Sequence, residues 1–170
     1  YIINTQKRVL FHLKPFELYT NKDYLGLDIS AVRNLELVES LKGAKNKNNL
    51  FSVLDRCSTA MGSRFLRRSI LFPLVNLSKI NIRLDIVEAF NKYAVLTKDL
   101  HKELNEIYDL ERIVGRISYG SVSPKDLIQL KNSLAVLPNI IKLLSKMKNN
   151  AIQAITRNIN PFTELHDLLN

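Results

Sequence analysis

The sequence predicts an all-α fold of packed, roughly antiparallel helices. Apolar residues recur at steps of three and four along most of the 170-residue chain, which is the spacing of one face of a helix. Residues that cap or stop helices stand between these apolar runs. The sequence lacks a convincing two-residue alternation, the mark of a half-buried strand. The one strand that we allow is therefore a very short one over residues 24–27.

Two helices are predicted before the first loop rich in Lys and Asn. The first covers residues 1–13, where apolar positions recur on one face. The second is expected to be capped by Asp28 or Ser30, whose side-chain oxygens can accept hydrogen bonds from free backbone N–H groups. Its apolar positions continue to Leu41, and Gly43 is expected to stop it.

A short helix with two different faces follows. We expect Thr59 to cap it, Gly62 to leave room for another backbone, and Pro73 to end it by disfavouring helix at the preceding residue. Apolar residues share one face, which is expected to pack into a core. Arginines gather on another face. They have three interpretations: an interface with another domain, a solvated stripe, or contact with DNA phosphates. The apolar set is Met61, Phe65, Leu66, Ile70 and Phe72, and the arginines are Arg64, Arg67 and Arg68.

Helices are also predicted over the middle and the end of the chain. Ser78 can cap one, and Thr97 is a plausible start for another that ends close to Gly120. The last segment carries isoleucines at positions 152, 155 and 159 and is expected to restart as a helix at Pro161.

The strongest helix start in the sequence lies between these segments. Ser123 is expected to be the cap, Pro124 occupies the first helical position, and Asp126 stands where a capping box usually has Glu or Gln. Leucines and isoleucines from position 127 to 144 then alternate steps of three and four, as in a helix that packs along another. Pro138 interrupts this seam and predicts a kink or a break near Leu137.

Two pairs of opposite charges have the spacing of intrahelical ion pairs. Arg33 precedes Glu36 by three residues. Asp109 precedes Arg112 by the same step, and side chains three apart are neighbours on a helix. Asp109 and Glu111, two residues apart, should instead face different directions. We therefore expect structural ion pairs and not a pair of catalytic carboxylates.

The sequence offers little to an enzyme. His12, His101 and His166 lie far apart, without carboxylate or cysteine neighbours at ligand spacing. Cys57 follows an arginine, but a lone cysteine of this kind is more often small and buried or neutral than nucleophilic. The phosphate-binding pattern Gly-x-x-x-x-Gly-Lys-[Ser/Thr] does not occur. We expect this chain to hold no catalytic residue, cofactor or metal.

The net charge of +9 is uneven along the chain. Residues 1–100 carry 16 Lys and Arg against 9 Asp and Glu. A basic surface suggests contact with phosphates or with acidic neighbouring domains, although ordinary solvated charge is the simpler interpretation. The sequence has no signal-peptide pattern and one cysteine, so a cytoplasmic protein without a membrane anchor is expected.

Several motifs, in order along the chain, resemble the MutS family of DNA mismatch repair proteins, in its bacterial form. The longest is the run Leu-Asp-x-x-x-Thr-x-x-Gly-x-Arg-x-Leu-Arg, which begins at Leu54 and leads to a proline. Shorter stretches agree before and after it, and the resemblance extends over most of the chain. They are residues 33–37 (RNLEL), 83–88 (RLDIVE), 108–113 (YDLERI) and 123–127 (SPKDL).

The resemblance implies a piece of a larger protein. Residues 1–20 would be the helix and linker that join the connector to the lever, and residues 21–170 the first part of the helical lever or core domain, without the clamp insertion. Such a segment would couple mismatched-DNA binding to ATP binding and hydrolysis in other domains. The family pattern marks six candidates for contacts between domains, which are Arg33, Glu36, Arg64, Arg67, Asp109 and Arg112.

The same resemblance implies the partners of the longer protein. It would be a DNA-dependent ATPase that uses ATP and Mg²⁺, binds mismatched double-stranded DNA, forms a homodimer and acts with a MutL-like repair partner, and it would be nucleoid-associated when bound to DNA. Two other interpretations stay open at this point. One is a free-standing helical adaptor with a partner helix on the seam from Leu127 to Leu144, and the other is a small basic DNA-binding domain.

Overall fold

The computed structural model describes residues 23–42 and 48–169. Within these ranges the chain forms nine helices, and its β-structure is limited to a single antiparallel bridge between Tyr24 and Leu74. The all-α prediction is confirmed for the described residues, and the short strand over residues 24–27 is reduced to that bridge. The helix predicted over residues 1–13 lies outside the described residues. The helices are α1 (Ile29–Asn34), α2 (Leu50–Leu54), α3 (Ala60–Leu71), α4 (Leu77–Lys92), α5 (Ala94–Asn105), α6 (Leu110–Ser118), α7 (Pro124–Ser145), α8 (Asn150–Arg157) and α9 (Thr163–Leu168).

Helix α1 is much shorter than predicted. Asp28 caps it by accepting a hydrogen bond from the backbone of Ala31. The helix stops at Asn34, and Glu36 lies in the left-handed region at φ 46°. The Glu36 carboxylate accepts hydrogen bonds from the Ser40 hydroxyl at 3.0 Å and from the Leu41 backbone N–H at 2.6 Å. These local bonds offer an alternative to helix, which is why the prediction of a helix to residue 41 was wrong.

Helix α3 has the predicted ends. The Thr59 hydroxyl accepts from the backbone N–H of Gly62 at 3.0 Å, and the helix ends before Pro73. The role expected of Gly62 was wrong, because its close neighbours are side chains and not another backbone. A Cβ at this position would lie 3.1 Å from Thr59 Oγ1 and 3.4 Å from Cys57 Cβ. The glycine therefore leaves space for the capping side chain itself.

Helices α4 and α5 start earlier than predicted. Asn76, not Ser78, caps α4 through its side-chain oxygen, since asparagine is as good a cap as serine. Helix α5 begins directly after Tyr93, so Thr97 lies inside it. The Thr97 hydroxyl donates instead to the backbone carbonyl of Phe90 at 2.7 Å, which spans the junction between the two helices.

The helix predicted from residue 97 to 120 is two helices, separated by residues 106–109. Ser133, on α7, holds this break in place. Its buried hydroxyl accepts from the backbone N–H of Tyr108 at 3.0 Å and donates to the carbonyl of Gln129 at 2.8 Å. The second helix, α6, ends near Gly120 as predicted, and that glycine has a positive φ of 68°.

Helix α7 begins with the predicted capping box. The Ser123 hydroxyl accepts from the Asp126 backbone N–H at 3.2 Å, and the Asp126 carboxylate accepts from the Ser123 N–H at 3.0 Å. The helix then passes through Pro138 without interruption, so the predicted break is absent. Leu134 and Ile140, on either side of the proline, are both buried. Their packing outweighs the roughly 3 kcal/mol that an interior proline costs.

The hydrophobic core lies along α7, which packs against α5, α6, α8 and α9. Two clusters of buried apolar residues share this helix. Among the described residues before position 77, none of the apolar side chains is buried. The chain thus consists of a cored bundle (residues 77–169) and an N-terminal segment (residues 23–42 and 48–76). The larger cluster contains Ala89, Leu100, Ile140, Leu144, Met147 and Ile152. The smaller cluster contains Ile113, Leu130 and Leu134.

Helix α7 is also long and apolar enough, by length and composition, to cross a membrane, with a mean hydropathy of 1.2. It carries the buried polar residues Asp126 and Ser133 and packs against four other helices. A central core helix has the same composition as a membrane span. We therefore assign α7 to the core of the bundle.

Candidate functional site

A charged contact joins the N-terminal segment to the bundle. The Arg64 guanidinium, on α3, donates to both carboxylate oxygens of Asp109 at 2.7 and 2.9 Å, and its Nε donates to Glu111 at 2.9 Å. Asp109 caps α6 and Glu111 lies in its first turn. We call these three residues the charged joint. Its forked geometry fixes the orientation of one helix against the other as well as the distance.

The electrostatics of the charged joint favour the ionised forms of Asp109 and Arg64. The hydrogen bonds from Arg64, helped by the backbone N–H of Arg112, hold the pKa of Asp109 below its usual range. The hydrogen bonds to Asp109 and Glu111 raise the pKa of Arg64 still further. The Arg64 side chain is 48% exposed, however. Water and salt therefore weaken the contact. It orients α3 against α6 but contributes little to the free energy of unfolding.

The pairing predicted for Asp109 was wrong. Its carboxylate forms its ion pair with Arg64, whereas Arg112 donates its backbone N–H at 3.3 Å and its side chain acts only through its charge. The expectation that Asp109 and Glu111 face apart was also wrong, since one guanidinium reaches both. Asp109 is the cap residue and stands outside the helix, so helical spacing does not apply to it. The sequence signal for the joint was the surplus of arginines on α3.

Other contacts between the N-terminal segment and the bundle are polar or partly exposed. Lys79 pairs with Asp23 at 2.6 Å. The guanidinium of Arg83 lies 5.5 Å from the centre of the Phe65 ring, which is 61% exposed. The apolar face of α3 that was expected to enter a core is therefore only partly covered: Met61, Leu66 and Ile70 are partly buried, and Phe65 and Phe72 are exposed.

The other four predicted contact residues are not part of the charged joint. Arg33 on α1 and Arg67 on α3 line one groove. The Glu36 carboxylate is engaged with Ser40 and makes no ion pair with Arg33. The structure thus groups Arg64 with Asp109, and Arg33 with Arg67, whereas Glu36 stands apart and the Arg112 side chain forms no ion pair with a described residue.

The possible metal ligands among the described residues do not form a cluster. No group of three or more His, Cys, Asp or Glu among them could hold an ion. Cys57 is exposed rather than buried, and partial desolvation together with Asp55 raises the pKa of its thiol. The thiol is therefore neutral near pH 7, as expected from the sequence, and a poor nucleophile.

Comparison with known sequences agrees with this architecture. The sequence profile of the family "MutS domain III" matches residues 30–170. The chain is 44% identical over 169 residues to a DNA mismatch repair protein MutS of Alkaliphilus metalliredigens, and 41% identical over the same length to proteins of that name from Clostridium tetani and Staphylococcus aureus. Each alignment covers 99% of this chain and 19% of the relative. The chain spans about a fifth of their length, and with the match over residues 30–170 it belongs to the MutS domain III family.

Proposed function

We propose that this chain is the first part of the lever of a MutS-like mismatch repair protein. In this role it transmits changes between mismatched DNA and an ATPase that other parts of the protein contain. The observation that supports the proposal best is the charged joint, which ties a segment without an apolar core of its own to the first turn of α6.

The structure supplies a continuous route for such a movement. A displacement of α3 pulls on α6 through Arg64, because the guanidinium holds two carboxylates of that helix. Helix α6 is in turn packed against α7 through Ile113, which lies in one cluster with Leu130 and Leu134. Packed helices move as units instead of deforming smoothly, so the displacement would reach the long central helix.

ATP, Mg²⁺ and the catalytic steps belong to parts of the protein outside these residues. This chain has neither the phosphate-binding loop in its sequence nor a described group of metal ligands, so its residues do not fit a nucleotide. We further propose that the longer protein binds mismatched double-stranded DNA, forms a homodimer and acts with a MutL-like partner. Its proposed location is the cytoplasm, and it would associate with the nucleoid when it binds DNA.

The two other interpretations are not favoured. An unrelated helical adaptor, or a DNA-binding domain that works alone, has no reason to match the MutS domain III profile from residue 30 to 170. Direct contact of this segment with DNA phosphates is separable from its lever role. It would appear as binding whose affinity falls steeply with salt concentration.

The test is the substitution Arg64→Gln in the full-length protein. We expect the stimulation of ATP turnover by mismatched DNA to fall about fivefold or more, the lower end of typical coupling between sites. Arg157→Gln, at the exposed end of α8, is the matched control and should keep the stimulation. Circular dichroism of the 170-residue chain checks its folding. Unchanged stimulation, or unfolding of the variant, would contradict a transmitting role for Arg64.

A further inference from the structure

A second surface of the N-terminal segment has the features of a docking site. Helices α1 and α3 and the segment 38–41 enclose a groove of about 500 Å³. Ile29 is 87% exposed and Leu41 56% exposed beside it, so apolar area is left open to water in a concave place. Such area on a protein surface indicates an interaction site. The apolar residues of the groove are Ile29, Val32, Val38, Leu41 and Leu71.

The charged residues of this groove have no ion-pair partner in the part of the chain that the structure describes. Arg33 and Arg67 are exposed, and neither side chain forms an ion pair or a hydrogen bond with a described residue. Glu39 also lines the groove and pairs with neither arginine. Two guanidiniums against one carboxylate leave the groove positive. Because a guanidinium binds carboxylates in a forked geometry, the groove suits an apolar segment that carries acidic side chains.

The rest of this chain is a poor occupant for the groove. Residues 1–22 contain four Lys and Arg and one Glu, and residues 43–47 contain two Lys and no acid. A second copy of the groove would bring the same two arginines face to face. Relatives of the chain are about five times as long, since the alignments cover 19% of them, so a large part of a protein of that length would lie outside these residues.

We propose that this groove binds an acidic, amphipathic segment of the same polypeptide from outside these 170 residues. Its apolar side chains fill the space between α1 and α3, and its carboxylates pair with Arg33 and Arg67. This contact would hold α1 and α3, and α3 also carries Arg64 of the charged joint. The proposal rests on the proposed function only in taking the chain as part of a longer protein, and it requires no coupling to ATP.

Zero-length cross-linking of the full-length protein tests this contact. A water-soluble carbodiimide joins a lysine amine to a carboxylate only where the two already touch, and arginine does not react. The variants Arg67→Lys and Arg33→Lys each place an amine at the groove and keep the charge. We expect each variant to gain an intramolecular cross-linked peptide, identified by mass spectrometry, between the new lysine and an Asp or Glu outside residues 1–170.

Two controls make the outcome decisive. The native pair Lys79 and Asp23, 2.6 Å apart, should cross-link in every sample and shows that the reagent works. Arg157→Lys, away from any described groove, should gain no such peptide. A new lysine that links only to residues 1–170, only to a second copy, or to nothing while the Lys79 control succeeds would overturn the proposal. None of these outcomes depends on ATP turnover, so failure here is distinct from failure of the lever role.

Discussion

At the scale of single residues, Asp126 combines three structural tasks at one buried position. Its carboxylate completes the capping box with Ser123 and accepts a hydrogen bond from the Ser123 hydroxyl at 2.8 Å. It also forms an ion pair with Arg116 on α6. The backbone N–H and the hydroxyl of Ser123, and then the charge of Arg116, hold the pKa of Asp126 below its usual range. One carboxylate thus starts the central helix and fixes its neighbour.

The substitution Asp126→Asn should destabilise the fold in a pH-dependent way. A carboxylate whose pKa is lower in the folded state stabilises that state fully above its unfolded value, about 4. The stabilisation is lost as the pH falls through the folded value. We expect a lower urea midpoint for the variant at pH 7 and convergence with the parent below pH 4. Glu88→Gln, at an exposed position on α4, should show no such convergence, and a pH-independent difference for Asp126→Asn would contradict the assignment.

At the scale of elements, α7 shows packing prevailing over local preference. Pro138 lacks a backbone N–H and sits inside a 22-residue helix, yet the helix continues. Leu130 and Leu134 before it belong to one buried cluster, and Ile140 and Leu144 after it to the other. One continuous helix therefore contributes to both clusters.

Replacing Pro138 measures how much this proline destabilises α7. Pro138→Ala should raise the free energy of unfolding by about 1–2 kcal/mol. The variant gains a helical hydrogen bond and relieves a clash of roughly 3 kcal/mol, but it loses the entropic restriction of the unfolded chain. Asn132→Ala, an exposed position on the same helix, gives the gain due to helix propensity alone. Urea unfolding is the measurement, and destabilisation would show that the ring is needed for the course of α7.

The predictable elements were those whose signals lie within a few residues. The caps at Thr59 and Ser123 and the stop at Pro73 depend on neighbouring backbone groups, so the sequence contains them. The hydroxyl of Ser133 meets a backbone 25 residues away, and Arg64 reaches Asp109 across 45 residues. Spacing rules carry no information about such distant partners. The sequence therefore marked Arg64 and Asp109 as candidates without showing that they pair, and it gave no sign of the Ser133 contact.

At the scale of the whole molecule, stability is unequally distributed. The bundle holds all nine of the buried apolar residues that the described part contains, and the N-terminal segment has none. Charged and partly exposed contacts attach this segment to the bundle. We infer two levels of local stability, because buried apolar contacts protect a region from opening.

Hydrogen exchange should reveal these two levels. Backbone amides of α3 should exchange faster than those of α5 and α7 in the 170-residue chain. Raising the salt concentration to 1 M should speed exchange in α3 selectively, since it shortens the screening length to about 3 Å and weakens the exposed charged joint. Mass spectrometry of exchanged peptides is the measurement. Equal protection of α3 and α7 would contradict this distribution of stability.

The bridge between Tyr24 and Leu74 has a consequence for how length variation is tolerated. The backbones meet twice, Leu25 N–H to Pro73 carbonyl at 2.8 Å and Val75 N–H to Asp23 carbonyl at 3.0 Å. The stretch between these two contacts thus starts and ends at one place, just before α4. Insertions or deletions inside it, for example near positions 43–47, change the size of a closed loop and leave the register of α4 unshifted.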